Sequence, residues 1–544
     1  MIDPAHSSID NRNQFQYLMY RPLYWFGNGS QPTLNPQLSV ADPPKYASGD
    51  KSVTLTLKKW KWSNGETVTA QDVAFWLNML KAEKTQWAYY VPGGIPDNLT
   101  DWTISNPSTI VLHFKHAYSP TWFTDNELSQ ITPLPMAWDK TSASAKGHCA
   151  TSPSDCAAVW KYLYGQAKQI SSYGSSPIWG VVDGPWKLTE YQSTGLAKFT
   201  RNPKYSGPVS GNVKTFVEQP FTTEAAELNV LRAGQLSVGY LPVTDLAQKS
   251  QLQSAGYTLT PWIDAGVNYF PENFNNPTYG PVFKQLYFRQ AVQYLINQPQ
   301  YISQLYQGYA SPDYGPVPNA PASPYLDSYV KNNPYKYDPT KAVQLLTSHG
   351  WTVHPGSAAT CHRPGTGAND CGAGIKSGLA LNLSLNYASG TETLQQEMEG
   401  MKSTFAKAGI VLNLSQAPFD QVISQSVACK PTQASCKWQL SNWGGGWSYS
   451  MDHLPNGDVI FGSGGGDNFG SYNDSKADAL IAKTETVPGS LDQAEDYLAK
   501  QLPAIYMPKP DYQLTEVTHG LTGVVPQAPT FNLAPENWTF TSGS

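Results

Sequence analysis

The chain has 544 residues, more than one hydrophobic core ordinarily serves, so two or three domains are expected. Charged residues make up only 14 % of it and aromatic residues 12 %, a composition too apolar and too aromatic for a disordered chain. The net charge of −5 is spread along the length without a basic stripe, which excludes the nucleic-acid-binding classes, and no run approaches the ~18 apolar residues of a membrane-spanning helix.

The first element legible from the residues alone begins at Val53. Val53, Leu55 and Leu57 alternate with Thr54, Thr56 and Lys58, the period of two of a half-buried strand. The apolar register then slips to Trp60 and Trp62, which predicts a bulge at Lys58 and Lys59. Asn64-Gly65 is a turn pair. Thr69 with Asp72 three residues on forms a capping box, and Val73, Trp76, Leu77 and Leu80 fall on one face of the helix it opens.

The order WSNGETVTAQDVAFWL, Trp62 to Leu77, resembles the hallmark of the extracellular solute-binding protein family 5, the binding proteins of peptide-type ABC importers. The resemblance implies a two-lobed, periplasmic-binding-protein-like α/β fold of the class II type with an extra subdomain in lobe one. It also implies an opening helix over Asn11 to Gly27, with Met1 to Asp10 standing where the family usually has an extra strand. Met1-Ile2-Asp3-Pro4 has no signal-peptide character, so an export signal and any lipid-anchored Cys would have preceded this mature chain.

Six cysteines fall into three local couples, Cys149 with Cys156, Cys361 with Cys371 and Cys429 with Cys436, each in a polar loop. Spacings of seven and ten residues favour disulfides over zinc knuckles, despite His148 and His362 beside two of the cysteines. Oxidised pairing points to an extracytoplasmic compartment, at the cell surface or in a periplasm.

Further along, Gly184-Pro185 bends the chain into an alternating strand from Trp186, and Phe199 to Tyr205 resembles the family's Arg-Asn-Pro-x-Tyr segment. Glu224 to Leu236 reads as a helix stopped by Gly234, with a short strand after it. Asn268 to Gly308 matches the family's run from an Asn-bearing strand to an Arg-Gln-Ala helix ending near Gly308. Asp338 caps a helix that Gly350 ends; a strand at Leu379 to Leu385, a helix at Thr391 to Gly409 and a strand at Ile410 to Leu414 follow. Such alternation argues for α/β lobes. Under the resemblance, residues 1–45, 176–265 and 507–544 form lobe one, 46–175 its extra subdomain and 266–506 lobe two, with two crossing segments as the hinge.

Trp438 to Asp467 is the most unusual stretch. Gly444, Gly445 and Gly446 between Trp443 and Trp447 suit a surface that another chain or ligand approaches closely. In the family the corresponding loop carries an acidic residue that holds a peptide's α-ammonium; Gly446 occupies that position here, and Asp452 is the nearest carboxylate. Either Asp452 substitutes for it or the ligand lacks a free amine, unless Asp452 merely caps a turn. The resemblance adds Asn13 as a polar contact from lobe one, Tyr90 as an aromatic wall, and Tyr269 and Asn273 on the hinge strand.

These features point to capture of di- or oligopeptides between the lobes and delivery to an ABC permease, by a monomer that needs no cofactor or metal. The indoles would suit an oligosaccharide as well. A secreted glycan-cleaving enzyme is the rival from another class, because a pair of acids facing one cleft is not visible in sequence. No G-x-S-x-G or H-E-x-x-H motif occurs, and Gly462 to Asp467 lacks the Lys-Ser or Lys-Thr of a phosphate loop.

Overall fold

The computed structural model describes residues 17–28, 31–87, 89–450, 452–524 and 533–541. Asn13 lies outside them. Val53 and Leu55 are buried on one face of the strand Ser52–Thr56, which pairs antiparallel with Lys45–Tyr46 and Thr109–Phe114 in a four-stranded sheet completed by Leu99–Asn106. In place of the expected bulge the strand simply ends: Leu57 bridges Ala41, and Lys58 N donates to Val40 O. Leaving the ladder frees the chain to turn Trp60 and Trp62 into the core, and the Asn64-Gly65 turn is closed by a Lys61–Thr67 bridge with Gly65 at φ +96°. The helix Ala70–Glu83 starts where Thr69 N and Oγ1 both donate to Asp72 Oδ2, at 2.7 and 2.9 Å.

The amino terminus departs from the expected helix. Only Tyr17–Met19 is helical in the described part, and Phe26–Asn28 is a strand folded back on Gln31–Leu34. Pro22 accounts for the break, since it lacks an N–H and disfavours helical backbone at Arg21. Arg21 instead ion-pairs with Glu536, both side chains fully buried, which ties this end of the chain to the other. Gly184 N donates to Met19 O at 2.7 Å, and a Cβ at Gly184 would lie 2.4 Å from Leu18 O, so only glycine lets the bend before Trp186–Tyr191 lie against this segment.

A late strand completes a sheet begun much earlier in the chain. Gln513–Thr518 inserts between Val238–Tyr240 and Tyr257–Trp262, antiparallel to both. The second lobe is built on a parallel sheet in which Asn382–Ala388 lies between Val411–Ala417 and Leu440–Asn442. The helix Glu392–Ala406 makes the crossover, burying Met398, Met401 and Phe405. Gly266–Val267 pairs with Trp447–Ser448 and Tyr269–Phe270 with Ile505–Tyr506. The Arg-Gln-Ala helix is shorter than expected, Leu286–Tyr294, because Asn297 caps a fresh turn carrying Pro299. All three cysteine couples are disulfide-bonded as their spacing suggested.

Candidate functional site

Ligands of open α/β sheets bind beyond the carboxyl ends of the strands. In the second lobe that is where Leu440–Asn442 runs out into Trp443 and the three glycines. Gly444 takes φ +91°, and its N–H donates to Asn442 Oδ1 at 2.8 Å. Gly446 is pressed against the hinge strand: a Cβ there would sit 1.9 Å from Val267 O. No side chain fits at 446, so an acidic anchor cannot occupy that position in this backbone.

The next residues reach elements far away in the sequence. Tyr449 N donates to Ala265 O at 2.8 Å, the Ser450 and Tyr89 hydroxyls are 3.3 Å apart, and His453 stacks on Phe26 with ring centroids 3.9 Å apart. Asn126 and Leu454 bond reciprocally, Asn126 Nδ2 donating to Leu454 O at 3.0 Å and Leu454 N to Asn126 Oδ1 at 2.8 Å. His453 N also donates to Asp125 O at 3.2 Å. Residues 449, 450 and 452–455 thus form a seam with residues 89, 125 and 126.

Two cavities remain along this seam. One, of about 180 Å³, is walled by Phe26, Leu34, Asp125, Ala265, Tyr325, Tyr449 and His453 together with a run of prolines. The other, about 10 Å³ and so no larger than a water site, lies among Tyr89, Glu127, Gln130, Asp452 and Asp458. Burial pushes the Asp125 carboxyl up to about 7. Glu127 rises to about 8 by burial, opposed by the N–H of Ile95 and reinforced by the charges of Glu485 and Asp458. Asp458 rises to about 6 and Glu485 to about 8, burial again leading. Burial thus disfavours the charged form of each of these carboxyls, and a cation entering beside them would favour it.

The residues picked out from the sequence divide between this seam and its supports. Trp447 Nε1 donates to buried Asp452 Oδ2 at 2.9 Å, and the Trp447 ring lies 5.9 Å from Tyr89. Trp443 packs edge-on against Tyr269 and Phe469, and its Nε1 donates to Gly446 O at 3.3 Å. Tyr269 is buried between Trp443 and Phe461, and that burial raises its hydroxyl well above the usual phenol range. Asn273 sits farther off, its Nδ2 donating to Trp438 O at 2.9 Å and Cys436 O at 3.2 Å, where it anchors a disulfide loop. Tyr90 donates to Asp97 at 2.6 Å under the Lys84 ammonium, while its neighbour Tyr89 is the one that reaches across the seam.

Sequence reasoning missed Phe26, Tyr89, Asp125, Asn126, Glu127 and His453. The Asp125-Asn126-Glu127 triplet was the available signal, because it follows the apolar Trp122-Phe123 pair after a single threonine, Thr124; the triplet occupies a π-helical turn, Phe123–Glu127, that points it into the seam.

Residues 35–468 match the family described as bacterial extracellular solute-binding proteins, family 5 Middle. A Brucella ovis protein whose name assigns it to ABC-transporter peptide binding is 26% identical over 306 residues, 56% of this chain and 50% of that protein, so the match spans half the relative's length. The dipeptide-binding protein of Lactococcus lactis subsp. cremoris is 25% identical over 478 residues, 85% of this chain and 77% of the relative. Among solved structures, the oligopeptide-binding protein AppA from Bacillus subtilis, in complex with a nonapeptide, superposes with a TM-score of 0.75 at 17% identity, covering 99% of this chain and 96% of that one. The family match and the shared two-lobed α/β fold place this chain in the bacterial extracellular solute-binding proteins of family 5.

Proposed function

We propose that the protein captures short peptides between its lobes and presents them to an ABC permease. The observation that carries this reading is the seam: His453 and Leu454 bond across to Asp125 and Asn126 over an apolar cavity flanked by buried carboxylates. Apolar walls suit a side chain, and the Asp125 carboxyl that lines the larger cavity suits an α-ammonium where Gly446 supplies none. The names of the Brucella and Lactococcus relatives support the same class. A cavity of about 180 Å³ favours ligands of two or three residues over long ones. Trp443 and Trp447 are buried at 7% and 6% exposure, which weighs against an oligosaccharide stacking on open indole faces.

In this reading residues 1–45, 176–265 and 507–544 form one lobe, 46–175 its subdomain and 266–506 the other. The crossing pairs at 266–270 are the hinge, and a ligand touching both lobes shifts the equilibrium toward closure. Trp443, Gly444, Gly445, Trp447, Asp452, Tyr269 and Tyr89 line or support the site. The protein acts as a monomer outside the cytoplasm, tethered by a lipid anchor or free in a periplasm; among the described residues no helix is long and apolar enough to cross a membrane.

Native mass spectrometry of the purified protein, followed by calorimetry with a dipeptide-to-nonapeptide series, tests the proposal. Binding of di- or tripeptides with compaction in small-angle scattering is expected. Heat from oligosaccharides alone, or scattering unchanged by every peptide, would overturn it.

A further inference from the structure

A groove of about 920 Å³ opens on the second lobe, away from the seam. Glu272 bridges Leu440, and Asn273 N donates to Gln439 O, so Asn275 at the groove lies beyond the amino end of the strand whose carboxyl end carries Trp443. Three cations line it: Lys284, Arg289 and Lys430.

Arg289 is 4% exposed, with Nε donating to Gln501 O at 2.9 Å and Nη1 to Phe283 O at 2.7 Å. Its guanidinium carbon lies 5.4 Å from the Phe274 ring centroid, and its remaining nitrogen has no protein acceptor among the described residues. Neither Lys284 nor Lys430 enters an ion pair among the described residues. Asp474 also lines the groove, but both of its oxygens are committed: Oδ1 to the N–H groups of Lys476 and Ala477, Oδ2 to the hydroxyls of Tyr472 and Tyr497. The carboxyl of Glu272, near Arg289, is pushed up to about 8 by burial, opposed by the Arg289 charge.

The wall carrying Lys430 is fixed. The Cys429–Cys436 disulfide closes its loop, Cys429 N donates to Ser471 Oγ at 3.3 Å, and Asn275 Nδ2 donates to Cys429 O at 2.9 Å.

We infer that this groove is a second binding site, separate from the interlobe cleft, for a small organic anion bearing a carboxylate or phosphate. The buried guanidinium presents a directional donor, the two lysines supply charge at the rim, and the disulfide holds one of them in place.

The test is calorimetry on the full chain in about 20 mM salt, with inorganic phosphate and citrate as separate probes, comparing wild type with the Lys284→Gln/Lys430→Gln double variant. Arg289 is left intact because it holds two backbone carbonyls. Expected is one-site binding of at least one probe, weakened about tenfold or more in the double variant while thermal unfolding is unchanged. Which probe binds distinguishes phosphate from carboxylate chemistry. No heat from either probe up to about 10 mM, or equal affinity in the double variant, would overturn the inference.

Discussion

Replacing Gly446 with alanine should damage the hinge, although the change adds a single methyl group. The Cβ would lie 1.9 Å from Val267 O and 2.7 Å from Asn268 Cα, where about 3.5 Å is comfortable. Relief requires the two backbones to part by roughly 1.5 Å, more than an N–H···O bond tolerates. The pairing of Gly266 with Ser448 and Val267 with Trp447 would then be lost. Two hydrogen bonds at ~1 kcal/mol each and overpacking of ~1–3 kcal/mol give a destabilisation of about 3–5 kcal/mol. Gly445→Ala is the control, because a Cβ there meets nothing within 4 Å. A two-lobed chain need not unfold in one step, so the assay compares urea midpoints by tryptophan fluorescence with hydrogen exchange at the Val267 and Trp447 amides. The reasoning fails if Gly446→Ala matches wild type, or if Gly445→Ala is equally damaged.

Asn126→Ala removes the reciprocal bonds to Leu454; the closed state should lose ~1–3 kcal/mol, seen as weaker peptide binding in calorimetry and a larger radius of gyration with ligand present. Burial holds the Glu127 carboxyl at about 8 in the fold against an ordinary 4.5. Its folded value is the higher one, so its contribution is fully present below about pH 4 and is lost as pH climbs through 8. Wild-type melting temperature should therefore fall between pH 5 and 9, and Glu127→Gln should flatten that fall; parallel curves for the two proteins would refute this. Replacing Cys361 and Cys371 with serine opens a loop with a sequence separation of 10. The chain-entropy model puts the loss at about 2.5–3 kcal/mol, and a urea midpoint indistinguishable from wild type would count against it.

Local elements were legible wherever one signal dominated. Thr69 and Asp72 announce a helix start that the structure bears out, with Thr69 as the N-cap and Ala70 the first helical residue, and Gly350 and Gly409 end helices in left-handed backbone at φ +76° and +71°. Disulfide partners were legible because each couple is close in sequence. The amino terminus misled, since Asn11 to Gly27 has helical composition while Pro22 and pairing with Gln31–Leu34 impose a strand at Phe26–Asn28.

By itself the sequence determined the family, the α/β character of both lobes and the glycine-tryptophan loop, because period, caps and short-range cysteine spacing are properties of neighbouring residues. Only the tertiary structure decided which side chains meet at the seam. Asn126 and Leu454 are 328 residues apart, as are the two halves of the Asn212–Phe540 contact. A close approach such as Gly446 on Val267 leaves no local pattern to read. Such juxtapositions follow from how two crossing strands bring the lobes together, and that is a property of the whole folded chain.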